Sequence, residues 1–277
     1  MPTVGTQRNL FTDASGKITV SVFSHRGSPA QAHWIDQTVL VGDPDMIAIG
    51  GGGTAARVPA GALLTASYPN DDLSGWVVSS KDHQVSNPHQ LETYVIGMKI
   101  QGMTRQQLLD AVLVQPSDSG VAPHPESEAG VPSNEFCLVG GGFRVDWHGA
   151  GNLATATFPS TVTTWKSRSK DHSISDPANL RSFAIGLRRN LPAGQAISAI
   201  TRADSGQAPH PRAVASVAPG FALTGGGGEV HFNGPGNLLW NLQPSTSQDP
   251  SFTAASKDHV HPNPSTITAF AVGVRIL

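Results

Sequence analysis

At 277 residues the chain can bury a sizeable core, as one large domain or as two to three small ones. Charged residues make 14%, well under the roughly 25% of an average globular protein, and 30 + 21 = 51 residues are Gly or Pro, so turns are frequent and long helices are not expected. A net charge of −2 without a basic block excludes the electrostatic footprint of a nucleic-acid binder, a single cysteine excludes an intrachain disulfide or a zinc site with two thiolates, and no apolar run approaches the ~18 residues of a membrane span.

In chain order, Met1–Gly5 shows no basic start followed by an apolar stretch, so no signal segment is read. Compartment stays open, and an extracellular role is compatible. The alternating run Ile18–Val22 predicts a first strand, followed by a Gly/Pro-rich loop that carries His33 and Trp34. Met46–Gly50 predicts a second strand entering a run of glycines. Leu63–Ser67 predicts a third. A fourth begins at Trp76 and ends in Ser80-Lys81-Asp82-His83. An Asx-Pro pair at Asn87-Pro88 reads as the start of a helical turn, and Thr93–Ile96 as a fifth strand.

The same order then recurs twice. Ser169-Lys170-Asp171-His172 and Ser256-Lys257-Asp258-His259 repeat the tetrapeptide, and His124 and His210 repeat the loop histidine. From the first glycine of each run to a later proline the distance is constant, 69 − 50 = 159 − 140 = 244 − 225 = 19. Corresponding glycines at 97, 186 and 273 are spaced 89 and 87 residues apart (186 − 97, 273 − 186). The chain therefore reads as three repeats, 10–100, 101–190 and 191–277, joined by linkers at Thr104–Asp110 and Leu191–Gln195.

About five short strands per repeat predict an all-β protein, too many strands for one flat sheet. The expected arrangement is pseudo-threefold, β-prism-like or three small packed sheets forming one compact unit, because the last strand of each repeat is very apolar. Cys137 lies in a strand-like run and reads as core. The glycine runs lead into another strand, not a helix, which excludes a phosphate-binding loop and points to bulges or close backbone approach near an axis.

Period 2 puts Trp76, Val78 and Ser80 on an inner face, with Lys81 and His83 opposite and Asp82 inward. One reading of the tetrapeptide is structural, its Asp accepting backbone N–H groups at the strand exit. The functional reading takes Lys81, Asp82, His83, Lys170, Asp171, His172, Lys257, Asp258 and His259 as ligand-binding groups, with His33, His124 and His210 beside them and Trp147, Trp240 or Trp34 offering a ring face to a sugar. Three imidazoles converging on an axis would be a way to hold zinc, but no His-Glu-x-x-His occurs, and neither a metal nor another cofactor is expected.

These features point to a multivalent, lectin-like binding protein with up to three equivalent weak sites and glycans or polysaccharide as partners, gaining strength by avidity. Homo-oligomers are left open. The rivals are a hydrolytic enzyme using one Lys-Asp-His cluster and an assembly protein in which the clusters lock turns. No catalytic residue is assigned, since three equivalent copies do not make the single asymmetric constellation an enzyme uses.

Overall fold

A computed structural model describes residues 1–277. The first repeat follows β1 (Thr3–Val4) and β2 (Thr6–Thr12) and comprises β3 (Ile18–Arg26), β4 (His33–Leu40), β5 (Ile47–Thr54), β6 (Ala62–Pro69), β7 (Gly75–Asp82) and β8 (Glu92–Ile100). After helix α1 (Arg105–Asp110) the second comprises β9 (Val112–Ala122), β10 (Glu126–Gly130), β11 (Phe136–Asp146), β12 (Asn152–Pro159), β13 (Thr164–Asp171) and β14 (Ala178–Arg188). The short β15 (Asn190–Leu191) leads into the third: β16 (Gly194–Asp204), β17 (Arg212–Ser216), β18 (Ala222–His231), β19 (Asn237–Pro244), β20 (Ser251–Asp258) and β21 (Thr266–Ile276).

The all-β, pseudo-threefold expectation holds. Three seven-stranded sheets run β1-β4-β7-β6-β11-β14-β9, β10-β13-β12-β18-β21-β16-β15 and β17-β20-β19-β5-β8-β3-β2. Each repeat thus divides its six strands between two sheets, three and three. Repeats 1 and 2 join through β6 and β11 (Ala66↔Arg144, Ser67↔Phe143), 2 and 3 through β12 and β18 (Ala156↔Glu229, Thr157↔Gly228), and 3 and 1 through β19 and β5 (Asn241↔Thr54, Leu242↔Gly53). One apolar core draws on all three repeats, with Ile18, Val139 and Ile267 among its members, and Cys137 is buried in it.

The glycine runs make this closure possible. A Cβ on Gly52, Gly142 or Gly227 would lie 2.1, 2.3 or 2.0 Å from the carbonyl oxygen of Leu242, Ser67 or Thr157 in the adjoining repeat. Only hydrogen fits there. One position earlier, Gly51, Gly141 and Gly226 leave room for the rings of Trp76, Trp165 and Phe252, all fully buried. The runs also carry the expected bulges, since the register shifts at Ala48/Gly50, Leu138/Gly140 and Leu223/Gly225. The buried indole N–H groups are satisfied locally, Trp76 donating to Ser67 Oγ and Trp165 to Thr157 Oγ1, each at 2.8 Å.

Three expectations are corrected. Each repeat has six strands, because part of the loop after the first strand pairs as β4, β10 or β17. The Asx-Pro pairs start no helix: the chain runs extended into β8, β14 and β21. The first linker is helical, because Thr104 and Gln107 form a reciprocal capping box that satisfies two N-terminal donors, whereas Gly194 lets the second turn as the hairpin β15–β16.

Candidate functional site

The three tetrapeptides end β7, β13 and β20, and all three strand ends converge on the pseudo-threefold axis. Ser80, Ser169 and Ser256 are buried as expected, but so are Lys81, Lys170, Lys257, His83, His172 and His259, with exposures of 0–5%. The face opposite the core is covered too, by the turn that leads into the fourth strand of the next repeat, β12, β19 or β6. Groups expected to meet a glycan at the surface are therefore enclosed; only Asp82, Asp171 and Asp258 remain half-buried.

Each lysine ties its repeat to the next. Lys81 Nζ donates to Ala150 O at 2.6 Å and Gly149 O at 3.1 Å, and lies 3.8 Å from the ring centre of Trp147. Lys170 Nζ donates to Pro235 O at 2.5 Å beside Phe232, and Lys257 Nζ to Ala56 O at 2.5 Å. Gly151 and Gly236, at φ +103° and +105°, lie against these ammonium groups, where a Cβ would be 2.6 or 2.8 Å from Nζ. Burial holds Lys81 and Lys170 below the ordinary lysine range, opposed by nearby Asp176 and Asp171 respectively. It brings Lys257 to about 7, opposed by Asp82 of the first repeat.

The aspartates close the loop behind each strand. Asp82 Oδ2 accepts from the Asn87 N–H at 2.6 Å, Asp171 Oδ2 from the Asp176 N–H at 3.1 Å, and Asp258 Oδ1 from Asn237 Nδ2 at 2.8 Å. The structural reading of the tetrapeptide is met in this form by Asp82 and Asp171, which accept backbone N–H groups, while Asp258 accepts a side-chain amide instead.

The histidines cluster about the axis, their rings tilted by 47–77° to one another with centroids 5.0–5.5 Å apart. His83 Nδ1 lies 2.9 Å from Ala150 O, and His259 Nδ1 3.1 Å from Ala60 O, an equivalent carbonyl. One ring nitrogen from each of the three falls within 4.8 Å of the others. Desolvation first, then mutual repulsion, lowers His172 to about 3 and His259 to about 4. At neutral pH both rings are uncharged. Below them on the axis sit Leu63, Leu153 and Leu238, a buried triad from equivalent positions.

The outer histidines are separate. His33 and His124 are exposed and His210 half-buried, each beside its own tetrapeptide: His33 pairs with Lys81 across β4–β7, and His124 Nε2 is 3.8 Å from Asp171. Trp147 lids Lys81, Trp34 donates to His89 O at 2.7 Å, and Trp240 packs on the leucine triad, donating to Ser256 O at 3.3 Å.

A groove of about 340 Å³ opens where repeats 1 and 2 join, lined by Ile35, Asp36, Thr65, Ser79, Arg144, Asp146 and Trp147 among others. A bulge in β4 between Trp34 and Gln37 displays Ile35 and Asp36, the latter at φ +52°. Asp36 Oδ1 accepts from Ser79 Oγ at 3.2 Å and Tyr68 Oη at 3.3 Å, and Arg144 Nε donates to Asp146 at 2.8 Å. Beside them Tyr68 stacks on Phe183, centroids 5.3 Å apart. Burial, then the Asp36 charge, raises the Tyr68 hydroxyl.

The lining of the groove is not repeated at the other two junctions. Counting from the glycine runs, Thr65 is replaced by Trp240 in repeat 3, and counting from the tetrapeptides Ser79 is replaced by Arg168 in repeat 2, where Arg168 pairs with Glu229 across the equivalent junction. Asp36, Tyr68, Arg144 and Asp146 were not among the sequence candidates. Their signal was departure from the repeat, as in Asp146 against His231 and Ala56. No known protein family and no curated protein matches the sequence. Fold and site define a pseudo-threefold all-β protein with a buried polar axis and an open groove between repeats 1 and 2.

Proposed function

We propose that the protein binds carbohydrate without transforming it, and that its contact surface is the groove between repeats 1 and 2. The observation that carries this reading is the combination in one open concavity of a ring (Trp147), two carboxylates (Asp36, Asp146) and a guanidinium (Arg144). Carboxylate and guanidinium suit the two directions of a hydroxyl's hydrogen bonds, and the indole suits the apolar face of a pyranose. The reading reduces three equivalent sites to one. The hydrolytic alternative loses support, because Lys81, Lys170 and Lys257 are buried and committed to carbonyls.

The test is a glycan and polysaccharide array at high protein concentration, followed by calorimetric titration of a hit. Asp36→Ala and Arg144→Ala are expected to abolish binding while Glu128→Ala, outside the groove, leaves it intact, with one ligand bound per chain. No hit on the array, or binding indifferent to both groove substitutions, would refute the proposal.

A further inference from the structure

We propose that His83, His172 and His259 form a buried trigonal site for one divalent transition-metal cation, held by three imidazole nitrogens on the pseudo-threefold axis. Such cations take neutral imidazole as a ligand, and three histidines plus one open position is an established donor set for zinc.

At His259 the geometry selects the ligating nitrogen. A neutral ring carries one N–H. His259 Nδ1 faces the carbonyl oxygen of Ala60, so its proton belongs there and its lone pair lies on Nε2, whereas His83 has a carbonyl oxygen at each ring nitrogen, Ala150 O at Nδ1 and His172 O at Nε2, and a cation at Nε2 would place its proton on Nδ1. That is the arrangement by which a backbone carbonyl orients a metal-binding histidine. The Nε2 atoms of His172 and His259 are buried and have no hydrogen-bond partner, although leaving a buried polar atom unpaired is costly. His83 Nε2 lies 2.8 Å from His172 O, lone pair against lone pair in this tautomer, and is otherwise met by the exposed Gln84 amide at 2.9 Å. A cation between the rings would satisfy all three nitrogens together.

The spacing is close to what is needed. With all separations within 4.8 Å, a centre exists no more than about 2.8 Å from each nitrogen, so an inward movement of at most about 0.7 Å reaches the ~2.1 Å of a zinc–imidazole bond. The segments behind the rings are built alike. Gln84, Ser173 and Val260 all have positive φ (56°, 64° and 62°), and in each the residue after them donates back to the histidine carbonyl, at 2.6–2.8 Å. These three γ-turns carry strain, sharpest at β-branched Val260, and they fix the ring positions. His261, exposed, has its ring centroid 6.0 Å from that of His172, on the only copy with a further imidazole there.

The experiment uses the full chain, stripped with a chelator and dialysed, and titrated with Co²⁺ alone and then Zn²⁺ alone. The expected result is one ion per chain, visible d–d absorption of a low-coordinate cobalt site, displacement of that absorption by Zn²⁺, and a higher thermal midpoint with Zn²⁺. His172→Gln is expected to weaken binding by at least the ~10–100-fold that loss of a ligand-orienting partner costs, whereas His33→Ala and His124→Ala leave it unchanged. Should His172→Gln fail to fold, the wild-type cobalt spectrum and stoichiometry decide alone. No saturable one-to-one binding, an octahedral aquo-like spectrum, or binding lost with the outer histidines would overturn the proposal.

Discussion

Gly227→Ala probes the contact on which closure depends. The added Cβ would sit 2.0 Å from Thr157 O and 3.0 Å from both Thr157 C and Phe158 Cα, all backbone, whereas ordinary contact begins at 3.4 Å. The strands must separate by 3.4 − 2.0 = 1.4 Å along that line. The ladder there is only Ala156↔Glu229 and Thr157↔Gly228, so such a shift opens it. Overpacking costs about 1–3 kcal/mol, and each backbone hydrogen bond lost adds about 1 kcal/mol. Against this stands the ~0.4–1 kcal/mol that alanine gains by restricting the unfolded chain. The net expectation is a loss of about 3 kcal/mol, read by urea unfolding as a midpoint lowered by about 1 M for a slope near 3 kcal/mol/M. Gly206→Ala is the control, since its Cβ would meet nothing within 4 Å. Equal stability of the two variants would refute the close-approach argument.

Lys257 predicts a pH dependence. Its folded value of about 7 lies below the ordinary 10.5, so between those values the unfolded chain holds the extra proton and stability rises with pH. From pH 7 to 9 this amounts to about 2 kcal/mol. The unfolding free energy of wild type relative to Lys257→Met should move in favour of wild type by that amount, and a difference equal at both pH values would mean that the ammonium reaches solvent. Trp147→Leu should cost about 0.5–2 kcal/mol through the lost cation–π contact with Lys81 and leave the secondary structure measured by circular dichroism unchanged; no loss of stability would show that the ring is not a lid.

The repeat, the β class and the role of the glycines were legible because they are matters of spacing and of side-chain size. Trp76 followed four residues later by Ser80 gave the inner face correctly, since strand period alone decides it. The burial of Lys81 and His83 was not legible. Period 2 says which residues share a face, but what covers the other face is Ala150, 67 residues downstream of His83. The division of each repeat between two sheets was hidden for the same reason, as Ser67↔Phe143 pairing is invisible to local pattern. The convergence of His83, His172 and His259 needed the axis itself. The groove was obscured by the strength of the repeat, which drew attention to what the copies share, whereas Asp36, Arg144 and Asp146 belong to what they do not.

Interlocking of the three repeats into one cooperative body is the claim on which the buried axis and the groove both depend. Differential scanning calorimetry tests it most directly, by comparing the calorimetric enthalpy of unfolding, about 190 kcal/mol for 277 residues at ~0.7 kcal/mol each, with the van't Hoff enthalpy from the shape of the transition. Sheets shared between repeats predict a single transition with a ratio near one. A ratio near three, or three separable transitions, would mean that the repeats unfold independently and would contradict the account.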